Sequence, residues 1–402
     1  METPASAPQR KPLKRVFGVE RNVFFMGLVS FFNDFSAEMI VSIFPAFFSS
    51  VLKAGAASLG LIEGVAEGFA NFIKIFSGRL SDAVARRKIF AVFGYALSVA
   101  TRPLYLFAAA PAHVFGIRVA DRVGKGLRDA PRDALISLSA PREELGRSFG
   151  FHRAMDSFGA ILGPLAAFFI LRAFPGGFDA IFIVSFMVGV CAVLSFVFVH
   201  EVAGIVRNPE TVRLIRSYPK KLKWLLYTMA LLSVGNIPVA VLLLRTQESG
   251  LNISFIPLFY LFFNVSFTLF SSFAGRAADR VGERRVISYG YALLCIGYLF
   301  IMYDGTLAVL AVGFFLLGAA LSLVDGVQRA YIGKLTGAEM RGSAYGLFNA
   351  ALGVGTMIAG ALGGFIWQRY SSTAALVTAV IIVLIGLMAF MRTAQSGTTV
   401  PR

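Results

Sequence analysis

Gly78-Arg79-Leu80-Ser81-Asp82-Ala83-Val84-Ala85-Arg86-Arg87-Lys88 is a charged cluster set between two long apolar runs. Its punctuation returns at Gly275-Arg276-Ala277-Ala278-Asp279, followed by Arg284-Arg285. Gly, Arg and Asp recur at an offset of about 197 residues, roughly half the chain, the pattern of a membrane protein built from two repeats. A short charged loop between apolar helices cannot lie in hydrocarbon, so each copy sits at a membrane face.

The surrounding composition agrees. Of the residues, 57% are apolar, 40 are Phe and only 15% are charged, which is a membrane composition rather than that of a soluble domain. A span needs about 20 predominantly apolar residues. Twelve spans are read, over 22–48, 57–80, 89–110, 113–139, 147–172, 178–200, 223–246, 253–276, 286–303, 306–333, 342–367 and 372–392. The net charge of +16 raises nucleic acid as a partner, but Lys and Arg gather in alternate loops instead of on one soluble patch. Arg10, Lys11, Lys14, Arg15 and Arg21 precede the first span, Arg86, Arg87 and Lys88 follow the second, and Arg284 and Arg285 follow the eighth. Nucleic-acid binding is therefore excluded, and both termini are expected in the cytoplasm.

The domain reading follows: a cytoplasmic tail over 1–21, a six-helix bundle over 22–200, a linker over 201–222, a second bundle over 223–392 and a tail over 393–402. The linker, with Pro209, Pro219 and a basic cluster, is expected to lie on anionic lipid headgroups. The first apolar segment is not a cleaved signal peptide, since it is too long and carries Asp34 and Glu38. Cys191 and Cys295 fall inside spans, too few and too separated for a disulfide framework or a thiolate metal site. No nucleophile and base arrangement, nucleotide-binding Gly loop or metal motif is present, so an enzyme is not expected.

The cluster at Gly78 resembles the loop between helices two and three of the major facilitator superfamily, whose signature reads roughly Gly-x-x-x-Asp-x-x-Gly-Arg-Arg/Lys. Ala85 replaces the usual second Gly, whereas the second copy keeps Gly282. The resemblance implies an all-α membrane protein of twelve transmembrane helices in two six-helix bundles. It also implies a conformational latch at Gly78, Asp82, Arg86 and Arg87 and at Asp279, Arg284 and Arg285. Arg118 with Gly124 fits the family's helix-four signature loosely, with Asp121 and Arg122 in place of its Gln and Gly.

A charge at mid-bilayer costs ~2.5–3.5 kcal/mol on insertion scales, so each should face the bundle interior and find a partner. Ser30, Asp34, Glu38 and Ser42 fall four apart on one helical face. Glu63, Glu67, Asn71 and Lys74 make a polar stripe on the second span, and Arg118, Asp121, Lys125, Arg128 and Arg132 a third on the fourth span. In the first half Lys74, Arg102, Arg118, Arg122, Lys125, Arg128, Arg132 and Arg153 balance Asp34, Glu38, Glu63, Glu67, Asp121, Asp129, Asp133 and Asp156. Most are expected to pair internally. The candidates for proton coupling or substrate contact are Asp34, Glu38, Arg118, Arg122, Lys125, Glu67 and Asp156. His152, one turn before Asp156, reads as a structural hydrogen bond, and Asp325 with Arg329 as an internal pair.

Gly159-Ala160-Ile161-Leu162-Gly163-Pro164 resembles the Gly-x-x-x-Gly-Pro element of proton-driven exporters of the superfamily. Its Gly159, Gly163 and Pro164 imply a close-packed, kinked helix able to rock on its neighbour. The functional expectation is a secondary active transporter working by alternating access, a proton-coupled exporter of small amphiphilic molecules or drugs. The alternative is a proton-coupled transporter of an organic anion or metal complex, bound by the basic residues of span four. Expected partners are a small-molecule substrate, protons and the bilayer of an inner membrane, with no cofactor, no resident metal and a monomeric state.

Overall fold

The computed structural model describes residues 15–84, 86–202, 220–303, 305–336 and 341–392, with side chains at all of these except 78–84, 142, 220, 221, 341 and 342. The long apolar runs are helical, because an unpaired backbone N–H or C=O in hydrocarbon costs several kcal/mol and a helix pairs them within one segment. The first half holds α1 (Arg21–Ser50), α2 (Ala56–Val84), α3 (Arg87–Thr101), α4 (Pro111–Ser139), α5 (Leu145–Ala173) and α6 (Phe178–Ser195). The second holds α7 (Lys220–Val234), the short α8 (Val239–Leu242) and α9 (Leu244–Glu248), then α10 (Ile256–Val281), α11 (Glu283–Met302), α12 (Leu307–Leu335), α13 (Arg341–Arg369) and α14 (Ser372–Arg392).

Among the described residues, ten helical segments are long and apolar enough to span a bilayer. The charged α2 and α4 are not among them, yet each has 29 residues and so reaches about 44 Å, ample for a ~30 Å core. They are shielded by neighbours, α2 lying between α4 and α13, and α4 between α2 and α3. Contacts of α1 with α5 and α6, and of α3 with α4, gather the first six-helix bundle. Contacts of α10 and α11 with α12, and of α7 with α13 and α14, gather the second. Residues 203–219 of the expected linker and the tail over 393–402 lie outside the described residues.

Two features depart from the sequence reading. The span expected over 223–246 is interrupted at Gly235-Asn236-Ile237-Pro238, where Pro238 lacks an N–H and helical bonding lapses. Tyr298 of α11, fully buried, closes the gap: its hydroxyl donates to Gly235 O at 3.1 Å and accepts from Ile237 N at 3.0 Å. Tyr298→Phe strands both backbone groups in an apolar interior and is expected to cost ~1–3 kcal/mol. An unchanged unfolding temperature of the purified variant would contradict this. Ahead of α1, β1 (Arg15–Val16) and β2 (Val19–Glu20) form a hairpin where a plain tail was expected. Its turn, Phe17-Gly18, has positive φ at both residues, 49° and 76°, as two-residue hairpin turns require. Arg15 Nη2 reaches Glu144 Oε1 at 2.6 Å and fixes the hairpin to the turn before α5.

The two bundles meet at mid-depth and at the face opposite the basic loops. Ser49 donates to Gln247 Oε1 at 2.7 Å, Ala57 N to Gln368 Oε1 at 2.9 Å, Ser254 to Leu171 O at 3.2 Å and Asn264 to Ala160 O at 2.8 Å. Between α2 and α13 the contact is backbone on backbone. A Cβ on Gly64 would fall 2.9 Å from Thr356 O and 3.1 Å from Gly360 Cα, and one on Gly353 3.2 Å from Gly68 O.

Candidate functional site

The α4 stripes face α2, and the structure resolves them into ion pairs. Arg118, 3% exposed, grips Glu63, 7% exposed, through two bonds of 2.6 Å from Nε and Nη2, the bidentate geometry that a planar guanidinium offers a carboxylate. Its Nη1 lies 3.7 Å from Asp121, and the guanidinium stacks 4.9 Å from the centroid of the Phe44 ring. One turn on, Glu67 bridges Arg122 Nε at 3.1 Å and Lys125 Nζ at 3.7 Å. Further along, Asp129 meets Lys74 at 3.2 Å and Arg128 and Arg132 at 3.9 Å. The α2 and α4 carboxylates Glu63, Glu67, Asp121, Asp129 and Asp133 each have a cation within 4 Å.

The carboxylates of α1 are arranged differently. Among the described residues neither Asp34 nor Glu38 has a cation at ion-pair distance. Asp34 accepts a 2.9 Å hydrogen bond from Asn33 Nδ2. Arg128 and Arg132 lie within electrostatic reach of it, as Arg122 and Lys125 do of Glu38. Tyr260 of α10 lies near Glu38, so this carboxylate stands where the two bundles meet, and its Oε2 is buried with no hydrogen-bond partner. Asp156 of α5 faces Asp34. Its Oδ2 lies 3.5 Å from His152 Nδ1 and 3.8 Å from Arg153, itself largely exposed, while Oδ1 is buried without a partner.

Gly159 and Gly163 explain how α1 and α5 come so close. A Cβ on Gly159 would lie 2.5 Å from Phe31 O, and one on Gly163 2.7 Å from Phe35 O and 2.8 Å from Glu38 Cβ. These residues, with Pro164 buried beside them, seat α5 against the turns of α1 that carry Asp34 and Glu38. His152 bonds Ser30 at 2.7 Å, and Ser30 bonds Tyr95 at 3.2 Å. Tyr95 is 1% exposed, so this chain ends in the core. Asp325 and Arg329 pair at 3.1 Å, both about half exposed rather than enclosed.

Of the expected latch, the surroundings of Gly78 and the side chain of Asp82 lie outside the described residues, and Arg86 is exposed. Arg87 is buried at the start of α3, where its N–H and that of Lys88 donate to the Glu201 carboxylate at 3.1 and 2.8 Å. In the second copy Arg284 donates to Phe390 O at 3.1 Å and to Met391 O, at the C-terminal end of α14, where a cation is favoured by the helix dipole. Asp279 and Arg285 are exposed. Each copy thus ties the helix after the cluster to the C-terminal part of its bundle, one through the Glu201 carboxylate beyond α6 and the other through the Arg284 guanidinium at the end of α14.

Sequence reasoning missed Asn33 and Ser36. Asn33 Oδ1 accepts from Arg102 Nη2 at 2.9 Å and Arg128 Nη1 at 3.2 Å, and Ser36 accepts from Arg102 Nη1. No spacing rule marks them, because they sit off the Asp34 and Glu38 face of α1.

Two six-helix bundles meeting on a glycine seam, with ion pairs and unpaired carboxylates buried between helices, define a carrier of small molecules across a membrane. The profile of the Major Facilitator Superfamily matches residues 26–223 and again 223–401, and the chain belongs to that family. It is 31% identical over 380 residues to an MFS-type transporter of Methanocaldococcus jannaschii, covering 92% of this chain and 94% of that one. It is 24% identical to a multi-drug resistance efflux pump PmrA homolog of Lactococcus lactis, covering 87% and 90% of the two chains. Among solved structures, nucleoside transporter NupG superposes with a TM-score of 0.77 at 14% identity, covering 92% of this chain and 99% of that one. A POT family transporter in complex with 5-aminolevulinic acid gives 0.78 at 12%, covering 95% and 99%. These structures share the fold. The protein is a secondary active transporter and not an enzyme.

Proposed function

We propose that this protein is a proton-coupled exporter of small amphiphilic molecules in which Asp34 and Glu38 exchange the proton. One observation carries the reading: among the described residues Asp34 and Glu38 lack a cation at ion-pair distance, whereas Glu63 and Glu67 of α2 and Asp121, Asp129 and Asp133 of α4 have one. A buried carboxylate held by a guanidinium stays ionised, while one without a cation can gain and lose a proton as water reaches it. Glu38 stands at the bundle interface against Tyr260, where rocking of one bundle on the other changes its surroundings. Phe31, Phe35 and Phe158 on one side and Tyr260 and Phe263 on the other supply aromatic faces for an apolar or cationic body. The similarity to the efflux pump homolog of Lactococcus lactis agrees with export. The basic face is assigned to the cytoplasm.

A second reading is favoured by a different observation. Glu67 and Lys125 have side chains 31% and 33% exposed, unlike the sealed Glu63 and Arg118. An organic anion displacing Glu67 from Arg122 and Lys125 fits that site.

Proton release by the purified protein on adding tetraphenylphosphonium decides between them. Release that disappears in Asp34→Asn or Glu38→Gln, together with loss of proton-driven transport at unchanged expression, is the expected result. Equal release and transport in the wild type and both variants would refute the assignment. Binding of an organic anion such as benzoate with proton uptake would favour the second reading.

A further inference from the structure

We propose that Asn33 is a positioning residue that sets the proton affinity of Asp34 by passing to it the positive charge of Arg102 and Arg128 without an ion pair. The proposal rests on the reading of Asp34 as a proton-exchanging group.

Asn33 is 1% exposed and Arg102 2%. Arg102, at the end of α3, has no carboxylate within ion-pair distance among the described residues. Its guanidinium is spent on neutral acceptors: Asn33 Oδ1 at 2.9 Å, Asn33 O at 3.3 Å and the Ser36 hydroxyl. Ser36 is held by Ser185 of α6, with the two hydroxyls 2.8 Å apart. Arg128 of α4 reaches the same Asn33 Oδ1 at 3.2 Å while stacking 4.4 Å from the Tyr95 ring centroid.

The orientation of the amide is therefore forced. A guanidinium only donates, so the atom facing Arg102 and Arg128 must be the oxygen, and the Asn33 NH₂ must point the other way. There it donates to Asp34 Oδ1 at 2.9 Å. An amide whose oxygen accepts from two cations is polarised, and its N–H becomes a stronger donor.

The electrostatic surroundings of Asp34 otherwise oppose one another. Two anions, Asp156 of α5 and Glu38 of α1, and two cations, Arg128 and Arg132 of α4, lie within electrostatic reach of it, and α6 contributes only the uncharged Ser185 to this network. A direct contact with Arg102 would fix Asp34 as a carboxylate, as Arg118 fixes Glu63. An intervening amide favours the carboxylate less strongly, which leaves the proton exchangeable.

Asn33→Asp separates this role from a purely structural one. The substituted carboxylate still accepts from Arg102 and Arg128, so the fold is retained, but it has no N–H for Asp34 and adds a negative charge beside it. The readout is the infrared C=O band of the protonated carboxyl that Asp34→Asn removes, titrated in the purified protein. The midpoint of that band is expected to rise by about one pH unit or more, a tenfold change in proton affinity. Asn33→Ser, which keeps an acceptor but is too short to serve Asp34, is expected to move it the same way by less and covers the case in which the first variant does not fold. A midpoint that stays in place in the folded variants would overturn the proposal. If Asp34→Asn itself removes no band and transports normally, the fault lies instead with the reading of Asp34.

Discussion

Arg118→Leu is expected to remove ~3–5 kcal/mol of stability, because it leaves the Glu63 carboxylate buried without its cation. The pair is sealed: Arg118 is 3% and Glu63 7% exposed, two bonds of 2.6 Å join them, and Phe44 covers the guanidinium. Water has little access to rehydrate the orphaned charge. The pair itself is worth far less than the cost of breaking it, since desolvating two ions offsets most of their attraction. Arg118→Leu combined with Glu63→Leu should therefore recover most of the loss. Thermal unfolding of the purified single and double variants measures both. A single variant within ~0.5 kcal/mol of the wild type, the range of an ordinary surface substitution, would show that the pair is not sealed.

Gly60→Val is expected to keep the bundles from closing at the face opposite the basic loops and to abolish turnover. A Cβ at Gly60 would collide with Gly360 O and stand 3.0 Å from Gly364 Cα, and one at Gly364 would collide with Ala56 O. Backbone meets backbone here, so no rotamer change can relieve the clash. Overpacking typically costs ~1–3 kcal/mol, which shifts the ratio of closed to open states by roughly fivefold to 150-fold. Spin labels at Ser49 and Gln247, which bond across the bundles at 2.7 Å, should move apart. Gly116→Val is the control, as no atom lies within 4 Å of its added Cβ. An unchanged label distance in Gly60→Val with normal transport would mean that this seam does not form in the transport cycle.

The seam and the sealed pair were only half visible before the structure. Gly64 and Gly68, four apart on span two, permit a close helix contact, but the sequence leaves any of the eleven other helices as the partner. Glu63 and Arg118 both read as intramembrane charges needing a partner. Their mutual choice, across 55 residues of sequence, depends on how α2 and α4 are rotated about their axes. The break at Gly235 was missed because its apolar residues continue the hydropathy of a span, and the hydroxyl that makes the break tolerable comes from Tyr298 on another helix.

Sequence by itself determined the class of fold, the duplication and the residues that must be buried as charges, because solvation by lipid acts on each segment independently of its neighbours. A helix of apolar residues partitions into a bilayer, basic loops stay at one face, and an intramembrane carboxylate demands compensation wherever it lies. Only the tertiary structure decided which charges are compensated and which are not. Glu67 is bridged by Arg122 and Lys125, Asp34 meets the Asn33 amide, and Glu38 meets a tyrosine of the other bundle. Those differences arise from distances of a few ångströms between helices far apart in the chain, over which the interaction of two charges changes from binding to mere influence.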